Sequence, residues 1–282
     1  MLSTFFQALN NPDLPFLRQT LGLVLLASVA FGLVGTIVVA RRLSALAGAV
    51  AHSVLGGIGA ALYFQRVVGV TWLNPMLGAL LAATVAALII GWVSLYAKDR
   101  EDTVIGALWA MGMAIGLLFL ARTPGFTDPN SYLFGNILMI SSADLWRVLA
   151  LNIALIAGLF LGYNRLQALC FDPEFARLRG VPANLLYLLL LVVVAVTVVF
   201  LINIAGTVLV IALLTIPAAL AGYITRHLWQ MMLAAIAFAA VFCTSGLAVS
   251  YQYDLPTGPV IIAIAGTAYL GAAVTMKFRK GR

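Results

Sequence analysis

Charged side chains are scarce in this chain. Asp, Glu, Lys and Arg make up 9% of the 282 residues, hydrophobic residues make up 63%, and the mean hydropathy is +1.09. Such a composition excludes a soluble globular protein with an ordinary polar surface. Long unbroken apolar runs, such as residues 185–202, also argue against a membrane β-barrel, whose strands alternate polar and apolar residues. We therefore predict an all-α protein that crosses the membrane several times.

Cysteine and several sequence motifs are also scarce or missing. The two cysteines, Cys170 and Cys243, fall in a predicted loop and an apolar run, so we expect free thiols rather than a disulfide. The chain has no G-x-x-x-x-G-K-[ST], H-E-x-x-H or G-x-S-x-G motif, which argues against nucleotide hydrolysis and intramembrane proteolysis. The N-terminus has no pattern of a removable signal peptide. The chain therefore carries no motif for nucleotide hydrolysis, and any energy source would come from elsewhere.

Nine apolar runs predict nine membrane-spanning helices. If Arg41 and Arg42 face the cytoplasm, the alternation of spans puts twelve of the sixteen Lys and Arg residues on that side. This distribution predicts an N-terminus outside and a C-terminus in the cytoplasm, and it explains the +7 charge without nucleic-acid binding. The short connection at 203–206 leaves eight spans as an alternative. The predicted runs are 16–40, 43–64, 74–96, 104–121, 145–163, 185–202, 206–224, 228–250 and 259–276.

His52 is the only ionisable residue deep inside an apolar run. Counted from Arg41 and Arg42, it lies roughly 15 Å into a hydrocarbon core about 30 Å thick. Burial favours the neutral imidazole, which binds transition metals, and a single imidazole suits transient contact better than storage. Gly48 and Gly56 share its helix face and leave little side-chain bulk around it, as in the wall of a passage. The alternative is a packed helix in which His52 is hydrogen-bonded to a neighbour.

The polar stretch 164–184 predicts a short helix outside the bilayer. Asp172 precedes a proline and is a candidate N-cap, Glu174 lies in the first turn, and Arg177 precedes Gly180 at the other end. Two interpretations are open. The segment is either an amphipathic connector on the membrane surface or a docking helix for a partner protein.

Three further segments carry candidates for helix breaks or gates. Pro217 interrupts an apolar run, and Thr215 is placed to satisfy backbone groups freed by the proline. Asp254 lies in a turn-rich outer loop where it could meet a partner. The connection 123–144 is rich in Pro, Gly and Asn but apolar in its middle, which suggests a partly re-entrant segment.

Six ordered segments resemble the permease subunits of ATP-binding-cassette importers for zinc, manganese or iron, the ABC-3 type of metal permease. The resemblance covers nearly the whole chain. The segments are RRLSALAGAVAHSVLGG, EDTVIGALWA, SYLFGNILMISSADLW, CFDPEFARLRGVPAN, INIAGTVLVIALLTIPAALAGYI and YQYDLPTGPV.

The resemblance implies a single permease domain over residues 1–282, with the fold of vitamin B12 and siderophore importers. It implies a homodimer in the bacterial inner membrane, an ATPase dimer docked at Asp172, Glu174, Arg177 and Gly180, and a solute-binding protein outside. The segment 131–146, which includes Asn136, would lie near the extracellular gate. His52 would contact the metal on its path, with no permanently bound cofactor.

One position departs from the family pattern. Members commonly carry Asp four residues before the histidine, in the pattern G-D-A-x-x-H, and this chain has Gly48 there. An imidazole without a carboxylate is less attractive to manganese, which prefers oxygen ligands, than to zinc. We therefore expect zinc as the substrate, with manganese, iron or a small chelate as alternatives. An intramembrane enzyme or a structural subunit is the alternative outside transport.

Overall fold

The computed structural model describes residues 15–97, 101–125 and 141–280, and within them the chain is helical, with no β-strand. Nine of these helices are long and apolar enough to cross a membrane, which confirms the predicted nine-span, all-α protein for the described residues. The helices are α1 (Pro15–Ala40), α2 (Ser44–Tyr63), α3 (Pro75–Tyr96), α4 (Glu101–Arg122), α5 (Ser142–Phe171), the short α6 (Pro173–Leu178), α7 (Ala183–Ala205), α8 (Thr207–Ile224), α9 (Leu228–Tyr253) and α10 (Thr257–Lys280).

The break between α7 and α8 bears on the eight-span alternative. Gly206 has a φ of 77°, a backbone conformation that residues other than glycine rarely adopt. The α-helical geometry of α7 therefore stops before it, and Gly206 is the N-cap of α8. The structure thus has two separate helices here rather than one continuous span.

The largest error in the predicted boundaries concerns α5. We expected this helix to end at residue 163, but it continues to Phe171, and the Asp172 amide still donates to the Ala168 carbonyl at 2.9 Å. Residues 164–171 contain neither Gly nor Pro, so nothing in the backbone ends the helix there. The polar stretch 164–184 is therefore mostly helical rather than a loop.

Side-chain caps explain where two of the helices begin. The Asn74 side chain accepts a hydrogen bond from the Leu77 amide at 2.8 Å, and Pro75 occupies the first helical position of α3. Before α5, the Ser141 amide donates to Asp144 at 3.1 Å and the Ser141 hydroxyl accepts from the Ala143 amide. Each helix therefore starts where its free amide groups find a polar side chain.

The chain divides into two compact units. Unit 1 comprises Met1–Val39, Phe134–Gly158 and Ile204–Arg282, and unit 2 comprises Ala40–Leu133 and Leu159–Asn203. Among the described residues, unit 2 thus contains α2, α3, α4, α6, the last part of α5 and nearly all of α7. The single permease domain over residues 1–282 stays a prediction.

In unit 2, glycines bring α2 into backbone contact with both of its neighbours. A Cβ atom on Gly56 would lie 2.8 Å from the carbonyl oxygen of Gly112 on α4. On another face of α2, a Cβ on Gly57 would overlap the carbonyl of Gly78 on α3. Small residues allow such approach in lipid, where helices associate through close packing rather than hydrophobic burial.

Unit 1 uses the same device around α1. A Cβ on Gly32 would lie 2.5 Å from the backbone nitrogen of Ile236 on α9, and one on Gly35 would overlap the carbonyl of Leu214 on α8. The Asn152 side chain of α5 also donates to the Leu26 carbonyl at 2.8 Å. The helix α1 is therefore fixed to three partners within its unit.

Substitution of Gly57 by Ala should destabilise the protein, because the new methyl group would overlap Gly78 and lie 2.6 Å from the Ala82 Cβ. We expect Gly57→Ala to lower the free energy of unfolding by about 1–3 kcal/mol, the usual cost of overpacking. Thermal unfolding in detergent would measure the difference. The control is Gly106→Ala on α4, where nothing lies within 4 Å of the new Cβ. Equal melting temperatures for the two variants would contradict the packing described here.

Candidate functional site

His52 lies on α2 and is almost completely covered. Its side chain is 8% exposed, and its ring stacks on the indole of Trp109 from α4, with centroids 4.6 Å apart and ring planes 19° from parallel. Trp109 itself is 38% exposed, so the stacked pair reaches the surface of unit 2 through the tryptophan. His52 stood out in the sequence, whereas no sequence pattern pointed to Trp109.

The Nδ1 atom of His52 is buried, and no group in the described part of the chain hydrogen-bonds to it. The neighbouring Ser53 hydroxyl is directed instead to the carbonyls of Ala49, at 2.9 Å, and Leu108, at 3.5 Å. An unsatisfied buried nitrogen costs about 1–3 kcal/mol. Nδ1 therefore has unused hydrogen-bonding capacity, and in the tautomer that leaves it unprotonated it can accept a proton donor or bind a metal ion that reaches it.

The helix face that carries His52 packs against α4. A Cβ on Gly48 would lie 3.0 Å from Cζ3 of the Trp109 indole, and Gly56 meets the backbone of Gly112. The two glycines therefore make room for an aromatic ring at one end and for a helix backbone at the other. That they also line a passage stays a prediction.

The predicted short helix is present as α6, with Asp172 as its N-cap. The Asp172 carboxylate accepts hydrogen bonds from the backbone amides of Glu174, at 3.1 Å, and Phe175, at 2.9 Å. The exposed Arg177 donates to the Asn184 side chain at 2.8 Å, and Gly180 ends the segment with a φ of 75°. The capped helix is thereby confirmed. Its role in docking a partner stays a prediction.

Arg41, just before α2, contacts helices on both sides of α6. Its guanidinium donates to the Leu169 carbonyl of α5 at 3.0 Å and lies 5.5 Å from the centre of the Tyr187 ring of α7. The Tyr187 hydroxyl in turn donates to Ser94 on α3 at 3.1 Å. We interpreted Arg41 only as a marker of topology, because no local pattern shows which arginine will contact residues far away in the chain.

Pro217 lies inside α8, which continues on both sides of it. The proline frees the carbonyl of Leu213, four residues earlier. The Thr215 hydroxyl donates instead to the carbonyls of Ile211, at 2.8 Å, and Ala212, at 3.3 Å. Our expectation that Thr215 would satisfy the freed group was therefore wrong, because a threonine in a helix reaches the carbonyls three and four residues before itself.

The turn between α9 and α10 is built around Asp254. This residue has a φ of 50° in the left-handed region and follows the last residue of α9. The Ser250 hydroxyl lies 2.6 Å from the Leu255 carbonyl and 2.7 Å from the Thr257 hydroxyl, which fixes the turn. A role for Asp254 in a gate or a partner contact stays a prediction. Asn136 and residues 126–140 of the proposed re-entrant segment lie outside the described residues.

Both cysteines, Cys170 and Cys243, are buried free thiols, as predicted. Across residues 15–97, 101–125 and 141–280, no group of three or more His, Cys, Asp and Glu side chains comes together in a way that could hold a metal ion. Within the described residues, His52 is therefore not part of such a group.

The comparisons with known proteins agree with this architecture. The ABC 3 transport family matches residues 13–276 of the chain. An uncharacterized membrane protein of Synechocystis is 41% identical over 99% of this chain and 95% of its own length. A "Probable metal transport system membrane protein" of Chlamydia pneumoniae is 35% identical over 89% of this chain and 86% of its own length. The manganese transport system membrane protein MntC of Halalkalibacterium halodurans is 29% identical over 95% of this chain and 89% of its own length.

Among solved structures, the chain is similar to PsaBC from Streptococcus pneumoniae in complex with Fab. The sequence identity is 26%, the TM-score is 0.82, and the match covers 96% of this chain and 94% of that chain. The helical arrangement is therefore that of an ABC importer permease, as predicted.

The fold and the comparisons define a multi-span membrane subunit of an ABC transporter. The chain belongs to the ABC 3 transport family. As a member of this family the chain is the membrane permease subunit of a transporter and not itself an enzyme. The alternative of an intramembrane enzyme is thereby set aside.

Removal of the cap on α6 should loosen that helix without loss of the whole fold. We expect Asp172→Ala to cost about 0.5–2 kcal/mol of local stability, because two backbone amides lose their acceptor. Amide hydrogen exchange within Pro173–Leu178 would measure the loss. The matched control, Asp172→Asn, removes the charge but keeps an oxygen acceptor. Equal exchange in the Ala and Asn variants would contradict the cap.

Proposed function

We propose that this chain is the membrane permease of an ATP-driven importer that moves a divalent metal ion, with zinc preferred, into the bacterial cytoplasm. The observation that carries the proposal is the buried, unpaired imidazole nitrogen of His52 on a membrane-spanning helix. Ionisable residues at such depth are expensive and mark transport paths. The names of the Chlamydia pneumoniae and Halalkalibacterium halodurans relatives support a metal as the substrate.

Zinc is preferred on ligand chemistry. Imidazole nitrogen suits zinc, whereas manganese prefers carboxylate, carbonyl and water oxygens. The face of α2 around His52 carries no carboxylate, since the residue four positions earlier is Gly48. Manganese is the second candidate, because one relative is named as a manganese transport protein. Iron or a small metal chelate would use the same machinery.

The partners follow from the transporter class. We propose a homodimer in the inner membrane, with two copies of His52 facing a shared path. A pair of ATPase subunits would bind on the cytoplasmic side, and a solute-binding protein would deliver the metal from outside. The distribution of Lys and Arg supports an N-terminus outside and a C-terminus in the cytoplasm.

The helix α6 would be the coupling element. Its surface is rich in exposed side chains, including the charged Glu174 and Arg177 and the apolar Phe175 and Leu178. Arg41 contacts residues on both sides of α6 and lies three residues before the first residue of α2. A displacement of α6 by an ATPase would therefore reach the helix that carries His52 within one compact unit.

Substitution of His52 should stop transport without unfolding the protein. We expect His52→Ala to reduce ATP-dependent zinc uptake into vesicles at least about tenfold, because the path loses its nitrogen ligand. The control is His227→Ala, which changes the other histidine of the chain, an exposed residue at the start of α9. Size-exclusion chromatography would check that assembly is intact. Unchanged zinc uptake in the His52 variant would contradict the proposed transport role and leave His52 with a role in helix packing.

Reversal of the charges on α6 should weaken contact with the ATPase. We expect Glu174→Lys combined with Arg177→Glu to reduce co-purification of the ATPase about tenfold or more, because both side chains are exposed. The same two reversals keep the net charge constant. Normal co-purification would exclude α6 as the docking element, whatever the transported substrate.

A further inference from the structure

Trp109 covers His52 from the outside of unit 2. The two rings stack at 4.6 Å, the imidazole is 8% exposed, and the indole is 38% exposed. Access to the imidazole from the exposed side of α4 therefore requires movement of the indole. A tryptophan side chain can make such a movement by rotation about its two χ angles, with no change in the helix backbone.

The same indole also fills the space beside Gly48. A Cβ atom on this glycine would lie 3.0 Å from Cζ3 and 3.4 Å from Cη2 of Trp109, which is tighter than ordinary contact. Residues four apart share a helix face, so a side chain at position 48 would be the nearest neighbour of His52 on α2. The indole and any liganding side chain at position 48 thus compete for one volume.

This competition decides which ligands the path can offer. With Trp109 in place, even a methyl group at position 48 would require the indole to shift by a few tenths of an ångström, and the face presents an imidazole nitrogen and an aromatic ring. A carboxylate would add the oxygen that manganese prefers, but it would require the indole to move away.

We propose that Trp109 is a specificity-determining residue, whose indole covers His52 and fills the space beside Gly48 that an oxygen ligand at that position would use. The proposed effect of Trp109 on metal selectivity rests on the proposed function. The proposal that Trp109 covers His52 does not rest on it, and it can be tested without a transport assay.

Chemical labelling tests the cover. Diethylpyrocarbonate modifies accessible imidazoles, and the chain has one other histidine, the exposed His227, as an internal reference. In the full-length protein we expect Trp109→Ala to raise the labelling rate of His52 relative to His227 about fivefold or more, with Trp109→Phe in between. The control Trp92→Ala removes a tryptophan of α3 that is 63% exposed and should change nothing. Equal His52 labelling in wild type and Trp109→Ala would overturn the proposal.

Uptake of zinc and manganese by the complete transporter in proteoliposomes tests the selectivity. We expect Gly48→Asp alone to leave the manganese-to-zinc ratio within about twofold of wild type, and Gly48→Asp with Trp109→Ala to raise it about tenfold. The size-matched control, Gly48→Ala with Trp109→Ala, should not raise the ratio. An unchanged ratio in the carboxylate double variant, or an equal rise in Gly48→Asp alone, would overturn the proposal. If the wild type takes up neither metal, the proposed function fails, while labelling still decides whether Trp109 covers His52.

Discussion

The close backbone approach of α2 to its neighbours is the constraint on which the candidate site depends. Gly56 of α2 contacts the backbone of Gly112 on α4, and Gly57 contacts that of Gly78 on α3. Larger side chains at these positions would push the helices apart. Because α4 lies so close, the Trp109 ring extends across the face of α2 and stacks on the imidazole. The orientation of the only histidine within a described membrane span thus follows from packing between glycines.

A half-buried arginine forms the second fixed point of unit 2. Arg41 donates to the Leu169 carbonyl and lies over the face of the Tyr187 ring, while its buried Nε has no partner among the described residues. The contacts fix the start of α2 to both flanks of α6. The proposed docking helix and the proposed metal path therefore lie in one unit and share one charged side chain between them. A force applied at α6 has a short physical route to α2.

Position 48 lacks the carboxylate of the family pattern that the sequence resembles. A Cβ atom at this position would lie 3.0 Å from the Trp109 indole, so the ring and a longer side chain could not both keep their places. Our proposal links the missing oxygen ligand to the presence of Trp109 through this packing. In the proposed function, this arrangement favours the transport of metals that bind nitrogen ligands.

The sequence by itself determined the membrane class and the capped helix α6, and it predicted nine spans with eight as an alternative, because apolar run length and the Asp-Pro cap act over a few neighbouring residues. The sequence also singled out His52, because an ionisable residue in the middle of a long apolar run is rare in membrane helices. The predicted end of α5 was wrong, because its polar residues resembled a loop while no Gly or Pro ended the helix there. Only the tertiary structure decided which ring stacks on His52, which residues Arg41 contacts, and which ring lies beside Gly48. These features join residues far apart in the chain, and their contacts depend on how closely the helix backbones approach one another.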